Sequence, residues 1–351
     1  MLESLTRQTT SGRDLSAEQV AIAVGALTDE GIPAEIKSGF LSALAQKGET
    51  PAEIAAFARE LRALSVVPPI DPEICHREIL DVCGTGGDRL NTFNISTTVA
   101  ILAAAAGVTV AKHGNRAITS KSGSADVLEA LGIRIDLSPQ EAAQSLRDRQ
   151  FAFFFAQKYH PAFKNIAPAR KLCADRGQRT IFNFLGPLLN PVQPSAQLLG
   201  VPRTSLCEPI ARVLQTLGTR RAMVVCGEAP GSGASDGPAF LDELSTLGDS
   251  TVAEFYQDRA FSCSVISPKA FGLRGAKLAD LAGGDRDTNA RILTEILAGR
   301  ERGPKRDAVL LNAGAALFVA GRSRSVTEGM ELAGETIDNG AALAKIEQLR
   351  A

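Results

Sequence analysis

The sequence lacks the patterns that mark several large classes of protein. None of its six cysteines belongs to a Cys-x-x-Cys pair, and no group of cysteines and histidines has zinc-ligand spacing. The 38 Lys and Arg balance 39 Asp and Glu to a net charge of −1, so no general basic surface for nucleic acid or membrane is expected. We therefore expect reduced, buried thiols in a cytoplasmic protein with neither kind of partner.

Long hydrophobic segments are absent as well. The first 16 residues contain no apolar stretch of the kind found in a secretory signal, and the longest apolar run is Val99–Ala111. Gly107 interrupts that run, which is shorter than the roughly 20 residues of a membrane-spanning helix. With 44% hydrophobic residues, the 351-residue chain can nevertheless build a substantial core. Its length suggests two domains.

The beginning of the chain predicts a small all-helical domain over residues 1–70. Ser16 with Gln19, and Thr50 with Glu53, have the spacing of capping boxes that begin helices. Pro33 suits the first turn of another helix, which Gly48 can end. The prolines that follow residue 67 predict a stiff connector to the rest of the chain.

From residue 71 to 351, strands and helices alternate, which indicates an α/β domain with a mainly parallel central sheet. The predicted strands are Ile79–Cys83, Val108–Ala111, Ile133–Ile135, Phe151–Ala156, Leu198–Val201 and Ala222–Val225. Helices are predicted at Ser96–Ala106, Asp126–Leu131 and Leu206–Leu217, and one begins at the capping box of Ser138 and Glu141. Antiparallel strands are expected within Thr251–Val265, and the tail after Ala276 is expected to be helical.

The segment Asp81–Asp88 is the first candidate site, because three glycines follow a predicted strand. Such a turn exposes backbone N–H groups that can bind phosphate, although it can also be an ordinary connection between a strand and a helix. It is not a Walker A loop, since no Gly-Lys-Ser/Thr ends it. Arg89 occupies the third-glycine position of a Rossmann fingerprint, so it is not that motif either.

Two further polar segments follow predicted elements. Asn94–Thr98 stands where a helix should begin, so its side chains either cap that helix or contact a phosphate or a hydrated magnesium ion. The run Lys112–Asp126 contains two lysines and an arginine among small hydroxyl residues, which favours a flexible anion-binding loop over a solvated face. His113 in this run could equally be a structural histidine.

The remaining candidates are acidic and basic side chains later in the chain. Asp242 and Glu243 are adjacent carboxylates that could be surface charges, but beside a polyphosphate they would suit magnesium. Arg170 could hold a carboxylate or lie on a helix surface. We find no catalytic Ser/His/Asp order, and His76, His113 and His160 are too scattered for a metal site.

Together these motifs closely resemble the anthranilate phosphoribosyltransferase family of tryptophan biosynthesis. The matching segments are GTGGD at Gly84–Asp88, NIST at Asn94–Thr97, KHGNR at Lys112–Arg116, SGSAD at Ser122–Asp126, His160–Asn165, Arg179–Pro191 and the pair Asp242 and Glu243. The resemblance implies transfer of the 5-phosphoribosyl group from phosphoribosyl pyrophosphate to the amino group of anthranilate, with release of pyrophosphate. It also implies that the protein is a homodimer. Within each subunit, a helical segment near residues 160–180 is expected to pack on the helical domain.

The resemblance assigns roles to residues in three groups. The donor would be held by Gly84, Gly87, Asp88, Thr92, Asn94, Ile95, Ser96, Thr97, Lys112, His113, Gly114, Asn115, Arg116, Ala117, Ile118, Thr119, Ser120 and Ser124. Anthranilate would contact Gly84, Asn115 and Arg170, and two Mg2+ ions per subunit would be held by Ser96, Asp242 and Glu243. No acid or base is implied; Lys112, Asn115 and Arg170 would position the substrates.

The sequence departs from the family pattern at four places. The segments 171–178 and 228–240 are longer than usual, Phe163 replaces the usual methionine, and Phe240 stands near a usual glycine. The first segment and Phe163 are expected near the acceptor pocket. Two other functions share parts of the pattern: a pyrimidine nucleoside phosphorylase-like enzyme and a non-catalytic paralogue that binds nucleic acid. The intact GTGGD motif and the acidic pair count against the first, and the net charge of −1 and the intact phosphate loops count against the second.

Overall fold

The computed structural model describes residues 1–117, 121–231, 239–257 and 260–351, so the predicted donor-binding residues Ile118, Thr119 and Ser120 lie outside the described residues. The helices are α1 Leu2–Thr10, α2 Ala17–Thr28, α3 Ala34–Lys47, α4 Pro51–Ala63, α5 Pro72–Cys75, α6 Ile95–Ala105, α7 Ser124–Ala130, α8 Pro139–Arg149, α9 Ala156–Tyr159, α10 Ala167–Asp175, α11 Phe182–Leu185, α12 Cys207–Thr216, α13 Arg286–Leu297, α14 Pro304–Val319, α15 Val326–Asp338 and α16 Ala341–Arg350. Short 3-10 turns lie at Pro161–Asn165, Gly186–Leu189, Thr204–Leu206, Pro268–Phe271 and Leu278–Leu281.

The strands form one sheet, which confirms the predicted α/β class. They are β1 Ile79–Gly84, β2 Thr109–Gly114, β3 Phe151–Phe155, β4 Ala196–Gly200, β5 Arg221–Ala229, β6 Ala239–Leu241, β7 Ser250–Tyr256 and β8 Ala260–Ile266. Their order is β3-β2-β1-β4-β5-β7-β8, and β6 pairs with β5. Pairs from β3 to β5 are parallel, whereas β6, β7 and β8 are joined by antiparallel pairs.

Two helices in the first 70 residues, α2 and α4, begin at the predicted capping residues. The hydroxyl of Ser16 accepts from the backbone of Gln19, and Thr50 does the same for Glu53, each as a complete capping box. A further helix, α1, was not predicted, because the only hydrophobic residues it buries are Leu2 and Leu5. Two apolar positions are too few for a clear helical stripe.

Two predicted strand positions differ in the structure. Ile133–Ile135 forms no strand: it joins α7 to α8, and β3, the next strand along the chain, is the one that pairs with β2. Ile133 and Ile135 are buried in the core all the same. Strand β2 runs on to Gly114, so Lys112 and His113 belong to the strand rather than to a loop.

Hydrophobic cores cover both faces of the sheet. One contains α6, α7 and the C-terminal helices α13–α16, and the other contains α1–α4 together with α10–α12. The segment near residues 160–180 contacts the helical start directly: Lys37 Nζ donates to the Asn165 carbonyl at 2.9 Å, and Ser42 Oγ to Gln178 Oε1 at 2.6 Å. None of the helices in the described residues is long and apolar enough to cross a membrane.

Candidate active site

The site is built where three parallel strands end. β1, β2 and β4 run parallel and finish at Gly84, Gly114 and Gly200. Loops that follow the carboxyl ends of neighbouring parallel strands meet at one edge of a sheet, which is the usual place for a ligand in an open α/β fold. Most of the predicted site residues lie on or beside these loops.

The glycine-rich loop after β1 adopts an unusual backbone. Gly86 and Gly87 have φ values of 74° and 86°, in the left-handed region that favours glycine. The backbone N–H of Thr85 donates to the Gly200 carbonyl at 2.9 Å, and that of Gly86 donates to Asp242 Oδ2 at 2.7 Å. The loop therefore presents one backbone donor, that of Gly86, to an anionic oxygen.

The acidic pair bridges the glycine-rich loop and the start of α6. Asp242 lies so close to Gly84 and Gly200 that a Cβ on either glycine would overlap it. Its neighbour Glu243 accepts from the backbone N–H of Ser96 at 3.1 Å through Oε1. Three segments that are remote in sequence thus meet around two carboxylates.

Glu243 is buried and Asp242 is partly buried, with little compensating charge around them. Burial raises the pKa of Asp242, and the nearby Asp88 carboxylate raises it further. Burial also raises the pKa of Glu243 well above its usual range, the Asp242 charge adds to this shift, and Lys112 opposes it. Two neighbouring carboxylate groups that oppose each other's ionisation are suited to a divalent cation. Their oxygen donors fit Mg2+, which keeps several waters and needs only one or two carboxylates, and Ser96 contacts Glu243 through its backbone.

The start of α6 does not use Asn94 as a simple cap. The Asn94 amide donates to the Ser122 carbonyl at 3.2 Å and accepts from Asn289 Nδ2 at 2.9 Å, and no side-chain capping bond forms. Thr97 Oγ1 is buried and has no hydrogen-bond partner within the described residues. Thr92 pairs with Ala282 in an isolated bridge. Asn94 therefore ties α6 to the loop that precedes α7.

The predicted anion-binding run is only partly free to meet a ligand. Lys112 is 1% exposed and donates to the Val82 carbonyl at 2.6 Å, so it lies beneath the site rather than over it. Arg116 is paired with Glu129, at 2.8 Å from Nη2 to Oε1, and with Asp126. The carbonyl of Asn115 accepts from Ser124 Oγ at 3.3 Å. Protein groups therefore already hold Lys112 and Arg116, so the described part of this run is not the flexible anion-binding loop that its composition favours.

His113 and His160 form a buried pair that sequence spacing did not reveal. Their Nε2 atoms lie 3.1 Å apart, and their rings meet edge to face. Burial lowers the pKa of His113 to about 3 and that of His160 to about 4, so both rings are neutral at pH 7. Asp81, which begins the first candidate segment but was assigned no role of its own, accepts from the His113 backbone and from Asn190 Nδ2 through its carboxylate. No local pattern marks these contacts, since they join separate motifs.

Arg170 lies at the end of a row of aromatic rings. Its guanidinium carbon is 5.2 Å from the centre of the Phe182 ring, and Phe182 meets Phe163 edge to face at 5.6 Å. Phe163 in turn contacts His160 at 5.5 Å between ring centres. Burial lowers the pKa of Arg170, and no carboxylate of the described residues pairs with it. A partly buried, unpaired guanidinium beside aromatic rings suits an aromatic carboxylate.

Phe240 lies apart from that row. It stands in β6 opposite Glu228 of β5 and packs against the core beneath the helical domain. Only the ends of the long segment 228–240 belong to the described residues.

Comparison with known proteins gives matches along almost the whole chain. Residues 76–343 match the α/β domain of a glycosyl transferase family, and residues 3–65 match the helical bundle domain of that family. The chain is similar to the anthranilate phosphoribosyltransferase of Methanosarcina acetivorans, with 45% identity covering 97% of this chain and 86% of the relative. It is also similar to the anthranilate phosphoribosyltransferase of Lacticaseibacillus casei, with 48% identity covering 90% of this chain and 86% of the relative.

Solved structures give the same result. The anthranilate phosphoribosyltransferase of Thermus thermophilus has a TM-score of 0.87 and 38% identity, covering 99% of both chains. The enzyme of Saccharomyces cerevisiae, in complex with PRPP and Mg, has a TM-score of 0.85 and 28% identity, covering 99% of this chain and 96% of its own. A further structure of the yeast enzyme contains 4-fluoroanthranilate.

Proposed function

This chain belongs to the anthranilate phosphoribosyltransferase family, whose reaction transfers the 5-phosphoribosyl group of phosphoribosyl pyrophosphate to the amino group of anthranilate. We propose that the transfer takes place at the carboxyl edge of the sheet, at the site described above. The observation that carries this proposal is the meeting of Asp242 and Glu243 with the glycine-rich loop and the start of α6. It joins a phosphate-binding backbone to a pair of metal-binding carboxylates.

The donor would lie along the glycine-rich loop and the start of α6. We propose that Gly84, Gly87, Asp88, Thr92, Asn94, Ile95, Ser96, Thr97 and Ser124 contact it, together with the run His113–Ser120. The left-handed glycines and the unpartnered Thr97 hydroxyl support this assignment. Lys112 is left out of direct contact; its buried ammonium would instead offset the charges of Asp81 and Glu243.

Magnesium would be held by Asp242, Glu243 and Ser96, with two ions in each subunit. When bound, it would neutralise the charge that develops on the leaving pyrophosphate. The buried carboxylates with raised pKa values support this proposal, because they lack another counter-charge of that size.

The acceptor would bind with its carboxylate on Arg170 and its ring beside Phe182 and Phe163, while Gly84 and Asn115 flank its amino group. The amine lone pair then forms the bond to C1 of the ribose as the bond from C1 to pyrophosphate breaks, and the leaving oxygen keeps the electron pair. The amine is a neutral nucleophile, so its proton is lost after the attack and no general base is needed. The residues supply positioning and stabilisation of charge.

Two broader properties belong to the same proposal. We expect a homodimer, and sedimentation equilibrium tests this directly by measuring the mass of the particle.

We also expect a cytoplasmic protein, because all six cysteines are free thiols, which is typical of proteins in a reducing compartment.

The combined substitutions Asp242→Asn and Glu243→Gln test the metal assignment. We predict that they abolish most of the magnesium-dependent rate and leave the melting temperature unchanged or higher, because neutral groups of the same shape replace buried charges. Asp249→Asn, an exposed carboxylate nearby in sequence, is the matched control and should keep the wild-type rate. Wild-type turnover by the double variant at low magnesium would refute the assignment.

A further inference from the structure

One carboxylate joins the two ends of the loop that connects β2 to α7. Asp126 Oδ2 accepts from the backbone N–H of Ala117 and from that of Gly123, each at 2.9 Å. The sequence between these two residues includes 118–120, which belong to the proposed donor contacts. Asp126 therefore closes the base of a segment that is proposed to bind the donor, although no role has been assigned to Asp126 itself.

The second oxygen of Asp126 binds the same segment. Its Oδ1 accepts from Arg116 Nη1 at 3.2 Å. Arg116 also pairs with Glu129 through both of its Nη atoms, at 2.5 and 2.8 Å, and its guanidinium lies 5.7 Å from the centre of the Phe155 ring. The residue that precedes Ala117 is thus held in place from three sides.

Helix capping explains only one of these bonds. Asp126 is the third residue of α7, and its bond to Gly123 completes a capping box, as Glu141 does for α8 by accepting from the backbone of Ser138. The bond to Ala117 lies outside the helix and reaches across the base of the loop. A cap has no use for this bond, so it calls for another explanation.

The two ends of the loop lie in direct backbone contact. A Cβ on Gly123 would come within 2.4 Å of Ala117 N, 2.6 Å of Arg116 C and 2.7 Å of the Asn115 carbonyl oxygen. The φ of Gly123 is −89°, which any residue can adopt, so glycine is needed here for the close approach and not for its conformation. This contact is what allows a single oxygen to bind both ends.

We propose that Asp126 is a positioning residue for the donor: it fixes the base of the loop between Ala117 and Gly123, so that the donor contacts in this loop are held ready for phosphoribosyl pyrophosphate. This inference rests on the proposed function. A loop with a fixed base has fewer conformations to lose when a ligand orders it, and the ligand binds more tightly for that reason.

The charge of Asp126 suits this role. Burial raises the pKa of Asp126, but its hydrogen bonds to the backbone of Ala117 and Gly123 and to Arg116 outweigh burial and lower the pKa below its usual range. The carboxylate is therefore ionised at pH 7, and hydrogen bonds to an ionised acceptor are stronger than those between neutral groups.

The effect should fall on the donor and spare the acceptor. Arg116 and Ala117 are proposed to contact the donor only, whereas Asn115 is also proposed to flank the amino group of the acceptor. The Asn115 carbonyl has its own anchors, since it accepts from the backbone of Ala125 at 3.2 Å and from Ser124 Oγ at 3.3 Å. Loss of the Asp126 carboxylate leaves both of these bonds in place.

Calorimetry of phosphoribosyl pyrophosphate binding with magnesium, without the acceptor, tests the proposal on the full-length protein. For Asp126→Ala we expect a Kd about tenfold higher, as when the binding-competent loop is populated in about a tenth of the molecules. Asp126→Asn keeps an oxygen that can accept from both backbone N–H groups, so its Kd should stay within about threefold of the wild type. If Asp126→Ala does not fold, Asp126→Ser, with a short polar side chain, takes its place.

Glu141→Ala is the matched control, because it removes the same capping carboxylate and an arginine partner, Arg134, from the neighbouring helix α8. It should bind the donor as the wild type does, even if its melting temperature falls as far as that of Asp126→Ala. Steady-state kinetics adds a second readout: the KM for the donor should rise in Asp126→Ala, whereas the KM for anthranilate at saturating donor should not.

Three results would each overturn the proposal: donor binding by Asp126→Ala no weaker than by the control, a rise in the KM for anthranilate as large as that for the donor, or no rescue by Asp126→Asn. Failure of the proposed function is distinguishable from these results. In that case the wild-type protein itself would bind no phosphoribosyl pyrophosphate or would not consume anthranilate.

Discussion

Single residues in this protein acquire their roles from distant neighbours. Asp242 and Glu243 could be ordinary surface charges in the sequence, yet they bond to backbone groups 156 and 147 residues away. The glycine-rich loop and this pair could be singled out from the sequence, because their residue types suit one chemistry and their motifs stand in a familiar order. The contact between them depends on the tertiary fold.

Other residues could not be assigned correctly from the sequence. Lys112 is in a basic, hydroxyl-rich run, but it is the fourth residue of β2, and the strand turns its side chain into the protein. His113, Asp81 and Asn190 meet below the site because two adjacent strands and a distant loop converge there. Sequence patterns report local spacing, so they are silent about such contacts.

Arg170→Ala tests the acceptor side at this scale. We predict that the KM for anthranilate rises about tenfold or more, as expected for the loss of a hydrogen bond to a charged group, whereas the KM for the donor changes little. Steady-state kinetics with each substrate varied in turn makes the measurement. Lys171→Ala, the exposed neighbour, is the control. Equal rises in both KM values would mean that Arg170 is structural.

At the scale of elements, the starts of helices were the most predictable features. Ser16, Thr50 and Ser138 all begin helices with complete capping boxes, because a cap is a local arrangement of backbone and side chain. The segment Ile133–Ile135 has the composition of a strand, but it only joins α7 to α8, and β3 is the strand that pairs with β2. Both isoleucines are buried in the core, so their composition suits the interior without leading to strand pairing.

The two capping glutamates Glu53 and Glu141 differ in burial, which gives a prediction. Glu53 is 1% exposed and also accepts from Leu15 N at 2.9 Å and from Lys47 Nζ at 2.8 Å. Glu53→Gln should lower the free energy of unfolding by about 3 kcal/mol, because the buried Lys47 ammonium then keeps only the exposed Asp14 as a carboxylate partner. Glu141→Gln, at a half-exposed cap, should cost about 1 kcal/mol or less. Urea unfolding measures both, and equal losses would contradict this account.

At the scale of the molecule, one sheet organises both the helical unit and the site. Its faces are covered by two hydrophobic cores, one shared with α1–α4, and its carboxyl edge gathers the glycine-rich loop, the start of α6 and the acidic pair. The fold class and the family could be predicted because the motifs are long and ordered. The helical segment α10, which packs on α3, carries Arg170 to the same edge.

The most direct test of the central claim is the fluorescence of anthranilate with the purified full-length chain, phosphoribosyl pyrophosphate and magnesium. We predict a continuous loss of fluorescence that requires both the donor and the metal, and that stops when a chelator removes magnesium. Such a result supports the donor, the acceptor and the metal together. Fluorescence that stays constant with both substrates and magnesium present would contradict the account.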